Sequence, residues 1–444
     1  MRFASLRNPA RLVPIGFFIT ILFGTALLML PMAQAGPGGA PFLTALFTAT
    51  SAVCVTGLIT VDTPTYWSNF GQGIILFLIQ IGGFGIMTGA TMLGLLVTRR
   101  LKLHHRLLAQ AETPTFSLGQ VSSVLKLVLV TTVVVELVVA AVLTARFSVH
   151  YQQSAGEAVW NGVFHAVSAF NNAGFARFSD NVMGFALDPI ILFPLMIAVI
   201  LGGIGFPVLY ELRSELFCPA RWSLHTKLTL LGTAILLVTG FASVLAFEWR
   251  NPGTLGPMGL AGKFQSALFH SVVTRTAGFN SIDIAQLRPE TLFLSDALML
   301  IGGGSAGTAG GIKVTTFLVL GLIVWAEVRG EPDASAFGRR ISTEVLRQAL
   351  TVVLLAVGIV GASTLILLSL TRFGLSEVLF EVVSAFATVG LSTGITPKLP
   401  PGGQLALILL MFIGRVGTVT VATALALKTS PRPYRYPQER PIVG

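Results

Sequence analysis

The chain is predicted to be an all-α membrane protein, with eight transmembrane helices grouped in four helix–re-entrant loop–helix repeats around one pseudo-fourfold axis. Three observations carry this reading: the composition, a polar glycine-bearing stretch that recurs four times, and the placement of basic residues. Of 444 residues, 53% are hydrophobic and 11% charged, against about 25% charged in soluble domains. The apolar residues fall in runs of roughly 20, long enough for an α-helix to cross a ~30 Å hydrocarbon core. The weak alternating segments of a membrane barrel are absent. A net charge of +10 would suggest nucleic acid on a soluble chain. Here the basic residues cluster in particular loops, where they set orientation, so the expected surroundings are lipid and not nucleic acid. Cys54 and Cys218 are far apart and lie in or beside apolar segments, which argues against a disulfide framework or metal site. No Cys/His cluster, phosphate loop or Ser/His/Asp pattern points to an enzyme or to a cofactor bound by this chain.

The recurring stretch reads FLTALFTATSAVCVTGL (42–58), VWNGVFHAVSAFNNAGF (159–175), KFQSALFHSVVTRTAGF (263–279) and LSEVLFEVVSAFATVGL (375–391). An apolar residue precedes Phe47, Phe164, Phe269 and Phe380. Four residues later stand Ser51, Ser168, Val273 and Ser384, and nine or ten residues after each Phe comes Gly57, Gly174, Gly278 or Gly390. Successive glycines are 104 to 117 residues apart, which marks four copies of one unit.

The repeats are taken as 1–110, 111–222, 223–340 and 341–444. Each opens with a long apolar helix, expected over 12–33, 122–147, 226–248 and 346–370. The 10–12 residues before each glycine are too few to cross a membrane and suit a re-entrant half-helix. A second apolar helix follows, expected over 72–97, 187–211, 291–326 and 403–427. The run from Leu12 to Met32 is longer than a typical ~7–15-residue leader core, so it is read as the first span and retained. Nineteen Lys and Arg lie on the side of the N-terminus and eight on the side of the glycine stretches. Basic loops stay in the cytoplasm, so both termini are expected to be cytoplasmic and the chain to sit, multi-pass, in the cell membrane.

Irregular backbone at membrane depth is tolerated only where it lines a watery cavity or is buried in protein. Four such segments meeting on one axis satisfy that condition, and their carbonyl oxygens can replace the hydration shell of a cation. The glycines allow positive φ, which lets successive carbonyls face one axis. The expected filter residues are Val55, Thr56 and Gly57; Asn172, Ala173 and Gly174; Thr276, Ala277 and Gly278; and Thr388, Val389 and Gly390. With one glycine per repeat, fewer ion sites are expected than in a channel carrying the full TVGYG.

These loops, VCVTGL, NNAGF, TRTAGFN and ATVGLSTG, resemble the filter motifs of the Trk/Ktr/HKT superfamily of potassium transporters, and eight spans resemble the Ktr-type membrane subunit. The resemblance covers nearly the whole chain. It implies potassium uptake across the bacterial inner membrane, a homodimer with one pore per chain, and a cytoplasmic RCK-type ring binding ATP, ADP or NAD(H). Ktr-type members are often sodium-dependent, so Na+ stands beside K+ as an expected ion. Gly57, where relatives sometimes carry serine, favours potassium. A secondary transporter with broken helices is the alternative, but that class predicts inverted repeats, and these four run in one direction.

Between 302 and 313 the sixth span is interrupted by Gly302, Gly303, Gly304, Ser305, Gly307, Thr308, Gly310, Gly311 and Lys313. Each glycine costs a helix about 1 kcal/mol relative to alanine, so this stretch is a loop, expected directly below the filter. In the resembled family it corresponds to an intramembrane gating loop, contacted by the arginine that matches Arg415. Arg415 is therefore expected to latch the gate. Lys313 is expected either to bond loop carbonyls or to mark the cytoplasmic mouth. Gly82-Gly83, Gly202-Gly203 and Gly414 are read as close helix packing. Asp62, Asp180 and Asp283 follow their glycines by five or six residues and suit an outer mouth or helix caps equally. Arg275 is expected behind the filter, braced on Glu377 or Glu381, and Glu136 is expected to be paired to a neighbouring helix. His165 and His270 are expected to be packing residues. The polar segments 98–121, 212–227 and 327–345 suit docking of the ring.

Overall fold

A computed structural model describes residues 9–100 and 121–417. The chain is mostly helical. The sheet among the described residues is a hairpin of β1 (Ser335–Ala336) and β2 (Arg339–Arg340). One succession appears four times. α1 (Pro9–Leu28), α2 (Phe42–Val53) and α3 (Asn69–Arg100) come first. They are followed by α4 (Val121–Val149), α5 (Ala155–Phe170), α6 (Pro189–Ile204) and α7 (Phe206–Glu215). The third set is α8 (Leu224–Glu248), α9 (Leu260–Val273), α10 (Pro289–Leu300) and α11 (Val314–Val328). The fourth is α12 (Thr343–Leu370), α13 (Leu375–Phe386) and α14 (Pro401–Phe412), which runs into a π-helical turn, Ile413–Gly417.

Among the described residues three helices are long and apolar enough to cross a membrane alone, over Lys126–Val149, Leu224–Glu248 and Thr343–Leu370. They turn large apolar side chains outward: Leu137 is 63% exposed, Val238 66% and Leu365 70%. Such faces suit acyl chains, not water. The short helices α2, α5, α9 and α13 are the reverse. Their shared aromatics, Phe47, Phe164, Phe269 and Phe380, are each fully buried, and each anchors its half-helix in the core.

Three small residues set how closely the flanking helices approach. A Cβ on Gly82, Gly202 or Gly414 would run into the carbonyl oxygen of Val53, Phe170 or Phe386 respectively. Those carbonyls end α2, α5 and α13, so the following helix rests on the end of its own half-helix. Backbone this close admits no side chain.

Two spans differ from the sequence expectation. The helix expected over 187–211 breaks at Gly205 (φ +98) and turns by 100° into α7. Pro207 has no N–H to give to a continuing helix, and a Cβ on Gly205 would strike the Ser305 carbonyl. The helix expected over 403–427 is α-helical only to Phe412 before the π turn; residues 418–427 and most of the segment 98–121 lie outside the described residues.

Candidate functional site

Each half-helix is followed by the same backbone inversion. Val55, Asn172, Thr276 and Thr388 have φ of 55, 59, 75 and 51, and Gly57, Gly174, Gly278 and Gly390 have φ of 94, 70, 69 and 94. Left-handed φ is unusual for any non-glycine residue and an outlier for β-branched ones; it costs about 1–3 kcal/mol per residue. Strain at the same position in four repeats is held by the surrounding fold. It also orients the peptide groups. The N–H groups point back into the half-helix, as in Thr56 to Ser51 O (2.7 Å), Ala173 to Ser168 O (2.7 Å), Ala277 to Val273 O (3.0 Å) and Val389 to Ser384 O (2.8 Å). The carbonyls of these residues therefore face away from it. Among the described residues none of those four carbonyls accepts a hydrogen bond, although all four residues are fully buried.

The four segments close a ring. A Cβ on Gly57 would meet the Ala173 carbonyl, one on Gly174 the Ala277 carbonyl at 2.7 Å, one on Gly278 the Val389 carbonyl at 2.6 Å, and one on Gly390 the Thr56 carbonyl. Each glycine thus abuts the oxygen-bearing backbone of the next segment, and the fourth returns to the first. Side chains at these glycines would fill the ring. Buried carbonyls without donors demand a partner, and a circle of them can strip and hold a small cation. The half-helices aim their negative C-terminal ends at it.

Side chains behind the ring fix it. Ser51 Oγ accepts from Gly57 N and Ser384 Oγ from Gly390 N, both at 3.1 Å; Ser168 Oγ donates to Phe175 O at 2.7 Å. The serine of the repeat pattern therefore serves the glycine segment, a role the spacing alone did not reveal. Glu136 accepts from Gln80 (3.3 Å) and Asn171 (3.1 Å), the inter-helix pairing expected of it. His165 Nδ1 lies 2.7 Å from Asn161 O and His270 Nε2 3.1 Å from Ser295 Oγ, as packing residues should.

Arg275 corrects an expectation. It does lie behind the ring, but its partners are Thr233 and the Gly302 carbonyl, not Glu377 or Glu381. Glu377 accepts from the Gly374 N–H at the start of α13. Glu381 is claimed by Ser392 Oγ (2.5 Å), Thr393 N (3.0 Å) and Thr396 Oγ1 (2.7 Å). These donors follow Gly390 on the fourth segment itself and satisfy the Glu381 carboxylate locally.

The loop 302–313 folds back on itself, with Gly302 N donating to Ile312 O (2.8 Å) and Val314 N to Gly303 O (3.1 Å). It also docks on the broken span, through Gly304 N to Gly203 O (2.8 Å) and Thr308 N to Gly202 O (3.0 Å). A Cβ on Gly310 would strike Thr388 Oγ1 and the Ala387 carbonyl, so the loop touches the fourth glycine segment. Arg415, buried in the π turn, donates to the Thr308 carbonyl. Lys313 Nζ donates to Ala309 O, a loop carbonyl, at 2.7 Å.

On the opposite side all four ring glycines floor one open cavity of about 270 Å³, whose wall includes Asp62 and Asp180. Both aspartates also tie down local backbone or side chains. Asp62 accepts from Ser179 Oγ (2.7 Å) and Asp180 from Gly184 N (2.8 Å). Asp283 accepts from Ala285 N (3.0 Å) as a cap, and it is not part of this wall.

The comparisons agree with one another. Residues 19–434 match the family model TrkH, cation transport protein. The chain is 39% identical over 438 residues to the Ktr system potassium uptake protein B of Bacillus subtilis, covering 98% of this chain and 97% of that one. It is 37% identical to the potassium/sodium uptake protein NtpJ of Enterococcus hirae, with 98% and 97% covered. The crystal structure of the potassium transporter TrkH from Vibrio parahaemolyticus shares the fold, at a TM-score of 0.68 and 18% identity over 94% of this chain and 85% of that one.

Proposed function

The chain belongs to the TrkH family of cation transport proteins, and from that premise we propose that it takes up potassium through the carbonyl ring. Eight spans in four repeats would enclose one pore, with the cavity that holds Asp62 and Asp180 as its outer mouth. The observation that carries this reading is the closed circle of Gly57, Gly174, Gly278 and Gly390 against the Ala173, Ala277, Val389 and Thr56 carbonyls. An ion shed of water needs oxygens from several directions at once, and these four segments supply them without a side chain in the way. The loop 302–313, tied by Arg415 and Lys313, would close the path on the inner side. Relatives named as parts of Ktr systems support a cytoplasmic regulatory partner, which would dock on 212–227 and 327–345; a homodimer in the cell membrane is part of the same proposal. The name of the Enterococcus relative supports a contribution from sodium.

Rubidium uptake by proteoliposomes holding the purified chain tests the proposal. Uptake is expected to be suppressed by excess K+ and far less by equal Na+. A chain that moves no alkali ion, or one that treats Na+ and K+ alike, would overturn it.

The outer aspartates make a separate prediction. Each carboxylate near the mouth raises local cation concentration through a field that salt screens over about 10 Å at 0.1 M. Asp62→Asn with Asp180→Asn is expected to raise the KM for Rb+ by about two- to fivefold at low ionic strength, leaving maximal rate unchanged. The effect should shrink in high concentrations of a bulky, impermeant salt. A lowered maximal rate with unaltered KM would assign the pair to bracing alone.

A further inference from the structure

The residue three places before each ring glycine sits at the back of the ring. It is Cys54, Asn171, Arg275 and Ala387 in the four repeats. Only the third is charged, and the third is also the repeat whose second helix is interrupted by the glycine loop. The coincidence has a physical cause. Breaking a helix at membrane depth releases carbonyls that water cannot reach, and a donor must be supplied from the protein. Arg275 supplies it. Its guanidinium donates to Gly302 O at 3.3 Å, at the first residue of the loop. It also donates to Thr233 Oγ1 at 3.4 Å and Thr233 O at 3.5 Å, on α8.

This side chain is 8% exposed, and no carboxylate among the described residues forms an ion pair with it. Its three contacts are all longer than an ordinary N–H···O bond, and its Nε has no acceptor among the described residues. Against it lies a small, mainly apolar-walled cavity of about 20 Å³, whose lining includes Arg275, Thr233, Gly203, Ile204 and Gly303. That is room for about one water molecule, or for the guanidinium to turn. The next residue along the chain, Thr276, holds one of the strained left-handed φ values.

A group that grips the loop at Gly302 and joins the ring at Thr276 cannot move at one end alone. We propose that Arg275 is a positioning residue that couples the loop to the ring. When the loop leaves its seat, the bond to Gly302 is lost, the guanidinium turns into the cavity, and the third segment relaxes. Opening of the path and loosening of ion preference then occur together. Arg415 holds the middle of the loop at Thr308; Arg275 holds its first hinge and reports its position to the ring. This rests on the potassium-uptake reading above.

The test uses the full chain with Cys218→Ser and a probe cysteine, Ser305→Cys, in the loop. Two quantities are measured in proteoliposomes: labelling of the probe by a charged thiol reagent, and rubidium uptake with and without sodium. Loss of one ordinary hydrogen bond shifts an equilibrium by about two- to tenfold, and the contact to Gly302 O is a long one. Arg275→Gln is therefore expected to label about two- to tenfold faster and to lose Na+/Rb+ discrimination in parallel, while Arg275→Lys, which keeps the charge but not the fork, falls between. Thr233→Val removes one anchor and is expected to shift both quantities in the same direction by a smaller factor; it decides the matter if Arg275→Gln does not fold. Labelling and discrimination that both stay at the parent values in Thr233→Val and in any folded Arg275 variant overturn the coupling, as does a change in one quantity without the other. A parent chain that moves no alkali ion would instead overturn the potassium reading, while the labelling arm still reports whether Arg275 holds the loop.

Discussion

Alanine at any of the four ring glycines is expected to cut rubidium uptake by at least about 100-fold or to abolish preference over sodium. Two costs combine. The φ values of 69 to 94 penalise any L side chain by about 1 kcal/mol, and the new Cβ would enter the space of a neighbouring carbonyl oxygen. Overpacking of that kind costs about 1–3 kcal/mol and shifts backbone. On the proposed reading, the displaced atoms would be the ion ligands themselves. Gly390→Ser adds a hydroxyl that can compete with those ligands, so loss of selectivity is expected there before loss of flux. Gly321→Ala and Gly358→Ala serve as controls, because a Cβ at either position meets nothing within 4 Å. Proteoliposome uptake, with protein amount matched and folding checked by thermal melting, measures the effect. Wild-type uptake and sodium discrimination in a folded Gly174→Ala chain would refute the ring as the ion path.

The second large effect is expected at Arg415. Its guanidinium is 2% exposed, with one bond to the loop through Thr308 O and, among the described residues, no partner for Nε or Nη2. A single strong attachment holds a loop firmly yet can be released in one step, which suits a latch better than a fold-wide brace. The π turn helps: an extra residue in the helical turn re-aims one side chain without ending the helix, a device common at functional sites. Arg415→Ala is expected to raise rubidium flux by about tenfold in the absence of any regulatory partner, the equivalent of one charged hydrogen bond. Arg415→Lys, which can reach the same carbonyl with one donor, should show a smaller rise. Flux measured at several potassium concentrations separates the two explanations. A higher maximal rate at constant KM marks a released gate, whereas a lower rate with a lowered melting temperature would mean that Arg415 serves the fold.

Much of this is legible in the sequence. The charge-poor composition and the four-times repeated Phe–Ser–Gly spacing located the glycine segments, and the six glycines between 302 and 311 located the loop. These are local properties. A glycine is written where backbone must invert or approach, and a buried Phe where a half-helix needs an anchor, so single letters carry the information. The break at Gly205 was less visible, although Gly205 and Pro207 together stood in the sequence. Their local signal resembles that of a tolerated kink, and only the Ser305 carbonyl lying against Gly205 makes the turn obligatory.

The composition and repeat by themselves determined that this chain is a helical membrane protein with four equivalent backbone inversions. The tertiary structure alone decided that the inversions form a closed circle, that Arg275 grips Thr233 and Gly302 and leaves Glu381 to the fourth segment, and that the repeat's serines hold the glycine backbone. The reason is distance along the chain. Which carbonyl faces which glycine, and which acceptor lies nearest a buried guanidinium, depends on segments roughly a hundred residues apart being brought together. No spacing within one repeat encodes that meeting.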